Sequence, residues 1–269
     1  MNNCQPSHRT TYVKLSEEQL ARFAQDGLLI LPGLFSAAEV ALMRGRLPTL
    51  FSEDSPANIR EKDSDEVRTA MGLHLRDQMF AKLVRHPRLV EPALQILGEP
   101  LYVQQVKVNV KAAFCGEPWQ WHYDFATHQS EDGVPSPLAL NLHVFLDDVN
   151  EFNGPLYFLP GSQRLATPPA TLDTASTSYP LWVVNTDWVR DTAKTCGMVS
   201  ALGRAGTGLI FGDAMVHASP SNISPWDRKI FSLILNPVSN ALTRHQRPDH
   251  NHHRDLTPVT PLADDCLGR

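Results

Sequence analysis

Two segments near the start of the chain repeat apolar residues at helical spacing behind the same opening device. Ser16 is followed three residues later by Gln19, and Ser36 by Glu39. In such a box the hydroxyl and the third-position side chain satisfy free N–H groups of a helix start. The pattern predicts helices over 17–25, closed by Gly27, and over 40–50. Between them the apolar run 28–31 is short enough for an edge strand. Residues 51–68 are polar and charged and read as a surface loop. Helical periodicity returns over 77–97 and stops at Gly98-Glu99-Pro100.

Beyond Pro100 the period changes from helix to strand. Over 101–113 the residues alternate, with Gln105, Lys107, Asn109 and Lys111 on one face and Val106, Val108, Val110 and Ala112 on the other. Further strands are expected at 138–146, 155–159, 181–184, 208–211 and 228–235, with Asn153-Gly154-Pro155 and Pro160-Gly161-Ser162 as turns between. Helices first and short strands afterwards, without βαβ alternation, predict an antiparallel barrel or sandwich with helical support. The expected organisation is one domain over 1–269: helical support over 1–98, a β core over 99–240, and a polar tail over 241–269 on the surface or capping one barrel end.

Composition narrows the function classes. A net charge of -5 argues against nucleic acid and anionic membranes as partners. No apolar run approaches the roughly 20 residues of a membrane span. The polar stretch 1–13 has no signal-peptide pattern, and the four cysteines are scattered without CxxC spacing, which suits a cytoplasmic protein.

The most informative segment is Trp119-Gln120-Trp121-His122-Tyr123-Asp124-Phe125. On an extended strand, ligands at i and i+2 project to one side, so His122 and Asp124 can grip one metal ion. With a distant histidine they would form the facial triad of non-haem iron(II) oxygenases. His217, at the end of an apolar strand, is the candidate third ligand. Alone the pair is weak, since with 11 histidines roughly one His-x-Asp arises by chance. A second copy, His253-Arg254-Asp255, lies in the polar tail and reads as a solvated surface run. Arg228 heads an otherwise apolar strand, a costly position unless its guanidinium meets an anion. A carboxylate of 2-oxoglutarate would supply one, with Ser232 on the same face able to donate its hydroxyl.

The chain resembles the phytanoyl-CoA dioxygenase superfamily, and in it the bacterial ectoine hydroxylases and free amino-acid hydroxylases acting on proline or leucine. The matching segments include 84–89, 102–109, 119–133, Asp148-Val149-Asn150-Glu151-Phe152-Asn153-Gly154-Pro155, 158–162, Ser221-Asn222-Ile223-Ser224-Pro225 and 254–259. The resemblance runs over about 15–262. It implies a double-stranded β-helix, or jelly roll, whose mouth holds Fe(II) and 2-oxoglutarate, with O2 as the second co-substrate. Iron ligation carries over to His122, Asp124 and His217. Binding of 2-oxoglutarate carries over to Arg228, with Gln105, Asn141 and Ser219 as helpers, and Asn109 lies at a position close to substrate. The amino-acid hydroxylases commonly read His-Gln-Phe-Lys-Ile-Asn where this chain has Gln104-Gln105-Val106-Lys107-Val108-Asn109, and they usually carry Trp at His128. Gln104, Asn109, Trp119 and His128 are therefore the candidate substrate residues.

The expected activity is hydroxylation of an unactivated C–H bond in a small molecule, a free amino acid or amino-acid-like compound, by a monomer or homodimer. Desaturation, epoxidation or cyclisation with the same cofactors, and a non-catalytic jelly-roll binding protein, are the alternatives. Asp124 argues against a halogenase, which lacks the carboxylate ligand. An oxoacid-binding arginine argues against a zinc hydrolase.

Overall fold

The computed structural model describes residues 14–268. The two capping boxes form as their sequences require. Ser16 and Gln19 open α1 (Glu17–Asp26), which ends at Gly27 in the left-handed conformation, and Ser36 and Glu39 open α2 (Ala37–Ser52). Between them β1 (Leu28–Leu31) is an edge strand. The expected surface loop contains instead β2 (Asn58–Arg60) and β3 (Val67–Met71), and all five residues of β3 are buried. A strand buried on both faces leaves no alternation to read; Arg68 and Glu61 are buried and paired with each other, whereas Arg60, Lys62, Asp63, Asp65 and Glu66 are exposed and gave the stretch its look of a loop. The helical region is broken into α3 (Leu73–Arg76), α4 (Gln78–Leu83) and α5 (Pro87–Leu97). His86 caps α5 and Pro87 stands at its first position, where no N–H is needed.

The β region runs β4 (Leu101–Lys111), β5 (Trp119–His122), α6 (Asp124–Asp132), β6 (Leu140–Phe145), β7 (Leu156–Phe158), β8 (Ala170–Asp173), β9 (Leu181–Val184), α7 (Thr186–Cys196), β10 (Val199–Ala201), β11 (Gly208–Gly212), β12 (His217–Ser219) and β13 (Arg228–Pro237). Two main antiparallel sheets result, a seven-stranded one ordered β1-β11-β6-β13-β4-β3-β2 and a four-stranded one ordered β10-β7-β12-β5, with β8 and β9 pairing separately as a two-stranded sheet. This is the jelly roll. The outer face of the large sheet carries Val106, Val108, Val110, Leu142, Val144 and Leu233 into a core shared with α2, α4 and α5. At one end of the space between the sheets, Phe145, Phe158, Leu209, Phe211 and Ile230 form a second apolar cluster. The polar face of β4 points into the same space further along.

Residues beyond β13 do not hang free. Val259 N donates to Leu101 O at 2.7 Å, Leu262 N to Arg85 O at 2.8 Å and His253 N to Gln104 O at 2.8 Å, so the tail retraces the edge of the barrel. Among the described residues no helix is long and apolar enough to cross a membrane.

Candidate active site

Register sets the inner face of the large sheet. Antiparallel pairing places Lys107, Ser232 and His143 in one row across β4, β13 and β6, and Gln105, Ile234 and Asn141 in the next. Opposite, β5 and β12 pair so that His122 and His217 are direct partners. Their rings lie 4.1 Å apart between centroids. Asp124 does not stand on the strand as the His-x-Asp spacing suggested. The strand stops at His122, and Asp124 is the first residue of α6 behind Tyr123. The turn into the helix swings its carboxylate to the same point, and ligand atoms of His122, Asp124 and His217 all fall within 4.8 Å of one another.

The tautomers are set by the backbone. His122 Nδ1 lies 2.6 Å from Gln120 O, and His217 Nδ1 lies 2.9 Å from Met215 O. A carbonyl only accepts, so each Nδ1 carries the proton and each Nε2 presents a lone pair, as a metal ligand must. Burial pushes the His122 imidazole down to about 3, with the neighbouring His217 adding to it, and burial lowers His217 likewise. Burial works to raise the Asp124 carboxyl, but attraction to His217, Lys107 and His122 prevails and holds it ionised. Asn141 Nδ2 donates to Asp124 Oδ2 at 2.9 Å and orients it. Two neutral imidazoles and one carboxylate, buried and converging with a face left open, fit a divalent iron in a facial triad.

Arg228 shares the cavity. It is 2% exposed, its Nη2 donates to Ser219 Oγ at 3.2 Å, and its Nε has no partner. Ser219 Oγ donates onward to Gly154 O at 2.9 Å. Among the described residues no carboxylate pairs with Arg228, and burial drops its guanidinium to about 9. A buried cation without an anion, with an N–H to spare, fits a carboxylate ligand.

Gln105, Asn109, Trp119, His128, Asn141 and Ser219 all line this cavity. Gln104 and Ser232 do not. Gln104 is the unpaired residue at a register shift between β4 and β13, and its amide is buried without a partner. Ser232 is buried between Lys107 and His143, its hydroxyl also unpartnered. Lys111, on the polar face, turns away to the Glu117 carbonyl. His128 sits 3.5 Å from Asp213. Burial pushes its imidazole down to about 3, and burial together with the nearby Asp124 drives the Asp213 carboxyl up. The tail's His253 and Asp255 are committed elsewhere, to Asp249 and to the Thr257 N–H.

Among the lining residues that the sequence did not single out as site candidates are Lys107, His143, Tyr179 and Arg247. Lys107 was legible in the alternation of β4. His143 was a lone histidine in an apolar strand. Tyr179 and Arg247 come from irregular segments with no pattern to read. Trp119 and Tyr179 stack obliquely at 5.2 Å, and Arg68 lies 4.0 Å over the Trp119 ring, fixing this wall.

Comparison with known proteins accords with the site. The family model for phytanoyl-CoA dioxygenase (PhyH) matches residues 23–230. An L-proline trans-4-hydroxylase of Streptomyces griseoviridis is 37% identical, covering 91% of this chain and 96% of the relative. An ectoine dioxygenase of Nocardia farcinica is 34% identical, covering 93% and 89%. EctD from S. alaskensis with bound Fe superposes with a TM-score of 0.81 at 31% identity, covering 92% of this chain and 87% of that one. The same protein with 2-oxoglutarate and 5-hydroxyectoine gives 0.80, covering 93% and 86%.

Proposed function

The chain belongs to the phytanoyl-CoA dioxygenase family and is an iron(II)- and 2-oxoglutarate-dependent dioxygenase, and we propose that it hydroxylates an unactivated C–H bond of a free amino acid or a similar small zwitterion. The observation that carries this is one cavity with two halves. His122, Asp124 and His217 converge at one side, and the unpaired guanidinium of Arg228 waits at the other.

In this reading His122 Nε2, His217 Nε2 and an oxygen of Asp124 hold the iron. Arg228, steadied by Ser219, takes the distal carboxylate of 2-oxoglutarate. Lys107, on the row between, has no ion-pair partner among the described residues and adds positive potential for a dianionic ligand. Iron with 2-oxoglutarate bound supplies the oxidising power, turning O2 and the oxoacid into succinate, CO2 and one oxygen atom for the substrate. The chain's part is placement and exclusion of water. Asn141 keeps Asp124 oriented. Trp119 and Tyr179 offer an apolar wall for aliphatic carbon. Arg247, held by Asp132 and lining the cavity, offers a cation to the substrate's carboxylate. The neutral His128 stands where the relatives usually carry a large indole, which only donates, and adds an acceptor nitrogen to the wall, which favours a substrate more polar than leucine.

The test is a screen of amino acids, cyclic imino acids and ectoine for substrate-dependent succinate release, with mass detection of a product carrying one added oxygen. Stimulation by an amino acid with such a product is the expected result. Succinate release that no amino-acid-like compound stimulates would remove the substrate class while leaving the cofactor chemistry in place.

A further inference from the structure

His143 neither joins the His–Asp–His set nor supports Arg228, yet its position is unusual. It is 3% exposed and lines the cavity, and neither ring nitrogen has a hydrogen-bond partner among the described residues. The edge contact with Phe211, at 4.9 Å and 84°, holds the ring plane. Two residues before it on β6 is Asn141, which holds Asp124. Its partner on β13 is Ser232, four residues from Arg228, and Ser232 in turn pairs with Lys107. The imidazole therefore lies between the His–Asp–His set and the arginine. The groups whose charge it feels are Lys107, Asp124, His217 and Arg228.

A buried polar ring with neither nitrogen satisfied is expensive, because each nitrogen gives up water without gaining a partner. Cores avoid this by satisfying the histidine or replacing it with an apolar residue. Among the described residues none hydrogen-bonds to either nitrogen. Burial keeps the ring neutral, with one N–H donor and one lone pair. A ligand rich in acceptor oxygens, lying between the metal set and Arg228, would meet that donor.

We propose that His143 is a binding residue for the oxo-dicarboxylate co-substrate, donating a ring N–H to an oxygen of the molecule held between the metal set and Arg228. This rests on the reading that those two features frame 2-oxoglutarate. Among cavity residues it makes recognition of the oxoacid depend on a neutral donor as well as on cations.

The experiment is anaerobic titration of the iron(II)-loaded protein with 2-oxoglutarate, followed by the weak visible charge-transfer band and by tryptophan fluorescence. His143→Leu should raise the dissociation constant about tenfold or more while iron affinity stays within about twofold. His143→Gln, which keeps a donor, should recover part of the loss. A second readout needs no variant fold beyond assignment. In zinc-substituted protein with isotope-labelled histidine, adding 2-oxoglutarate should shift the His143 ring signal. His143→Leu binding as tightly as the parent, or an unmoved ring signal, overturns the proposal. Arg228→Ala is run alongside: lost binding there with none lost in His143→Leu sinks His143 alone, whereas a parent that binds no 2-oxoglutarate sinks both readings.

Discussion

At the scale of single residues, the site follows from what each side chain would cost if it had no function. His122 and His217 spend their Nδ1 protons on backbone carbonyls, which leaves two lone pairs aimed at one point beside a carboxylate. Replacing any one of His122, Asp124 or His217 by Ala should abolish both iron retention, measured by metal analysis after gel filtration, and succinate release. His253→Ala and Asp255→Ala should retain both, since those side chains face Asp249 and Thr257. Full activity in His217→Ala would break the assignment. Arg228 raises the matching question for the co-substrate. Removing one partner of a buried charge-assisted pair costs roughly 2–5 kcal/mol, so Arg228→Ala should weaken 2-oxoglutarate binding by at least about thirtyfold. Arg228→Lys should restore only part, because an ammonium cannot reproduce the planar fork. These four residues were legible in the sequence because their chemistry is written in spacing and in an arginine at the head of an apolar strand. Lys107 was half legible, as part of an alternation. Arg247 and Tyr179 were not, because they reach the cavity from segments whose path only the folded chain determines.

At the scale of elements, α1, α2, β4 and β13 announced themselves, whereas the helices α6 and α7 and several of the shortest strands did not. The capping boxes of α1 and α2, the alternation of β4 and the run of β13 gave clear periods. The strands β5, β10 and β12 span three or four residues, too few for a period, and their pairing decides them. Asp124 shows the limit most plainly. A strand through residue 124 and a helix opening at it both put His and Asp side chains on the metal, and the sequence spacing does not separate them. The turn at Asn153-Gly154-Pro155 was visible as a turn, but its function was not. Gly154 adopts a φ of +78°, its carbonyl accepts from Ser219, and a Cβ there would sit 2.5 Å from Lys111 Cδ and 3.0 Å from Pro220 O. Gly154→Ala should therefore cost about 1–2 kcal/mol in stability, from the left-handed backbone and the crowding together. Because Ser219 hangs from that carbonyl and supports Arg228, 2-oxoglutarate binding should weaken as well, while iron binding holds. Urea unfolding and a binding titration on the same preparation check the pair. Loss of stability with unchanged co-substrate affinity would show that the turn does not transmit to Arg228.

At the scale of the whole molecule, the barrel mouth is completed by chain that returns to it from the far end of the sequence. Asp132, at the end of α6, is the tie. Arg247 donates Nε to Asp132 Oδ1 at 2.9 Å and Nη2 to Oδ2, His252 Nδ1 lies 2.8 Å from Oδ2, and the Thr243 and Arg244 N–H groups donate to the Asp132 carbonyl. His252 is itself buried and meets the Tyr102 hydroxyl at 3.1 Å. So the residue that presents Arg247 to the cavity also fastens the tail to β4. Burial works to raise the Asp132 carboxyl, but the hydrogen bonds from Arg247 and His252 prevail and hold it well below the usual carboxylate range. A depressed folded value means that the contribution is complete above the unfolded value of about 3.9 and is lost as pH falls through that region towards the folded value. Asp132→Asn keeps the shape and removes the charge, leaving Arg247 buried without its anion. At neutral pH it should destabilise the protein by roughly 3 kcal/mol, in line with breaking a buried pair from one side. The difference from the parent should shrink as pH drops below about 4, since the unfolded parent then takes up a proton at Asp132 that the folded parent does not. Urea midpoints of both proteins across that range give the curve directly. A difference that stays flat as pH falls from 7 to 3 would mean that Asp132 acts through shape and neutral hydrogen bonds, and that the tail is held over the site by packing instead.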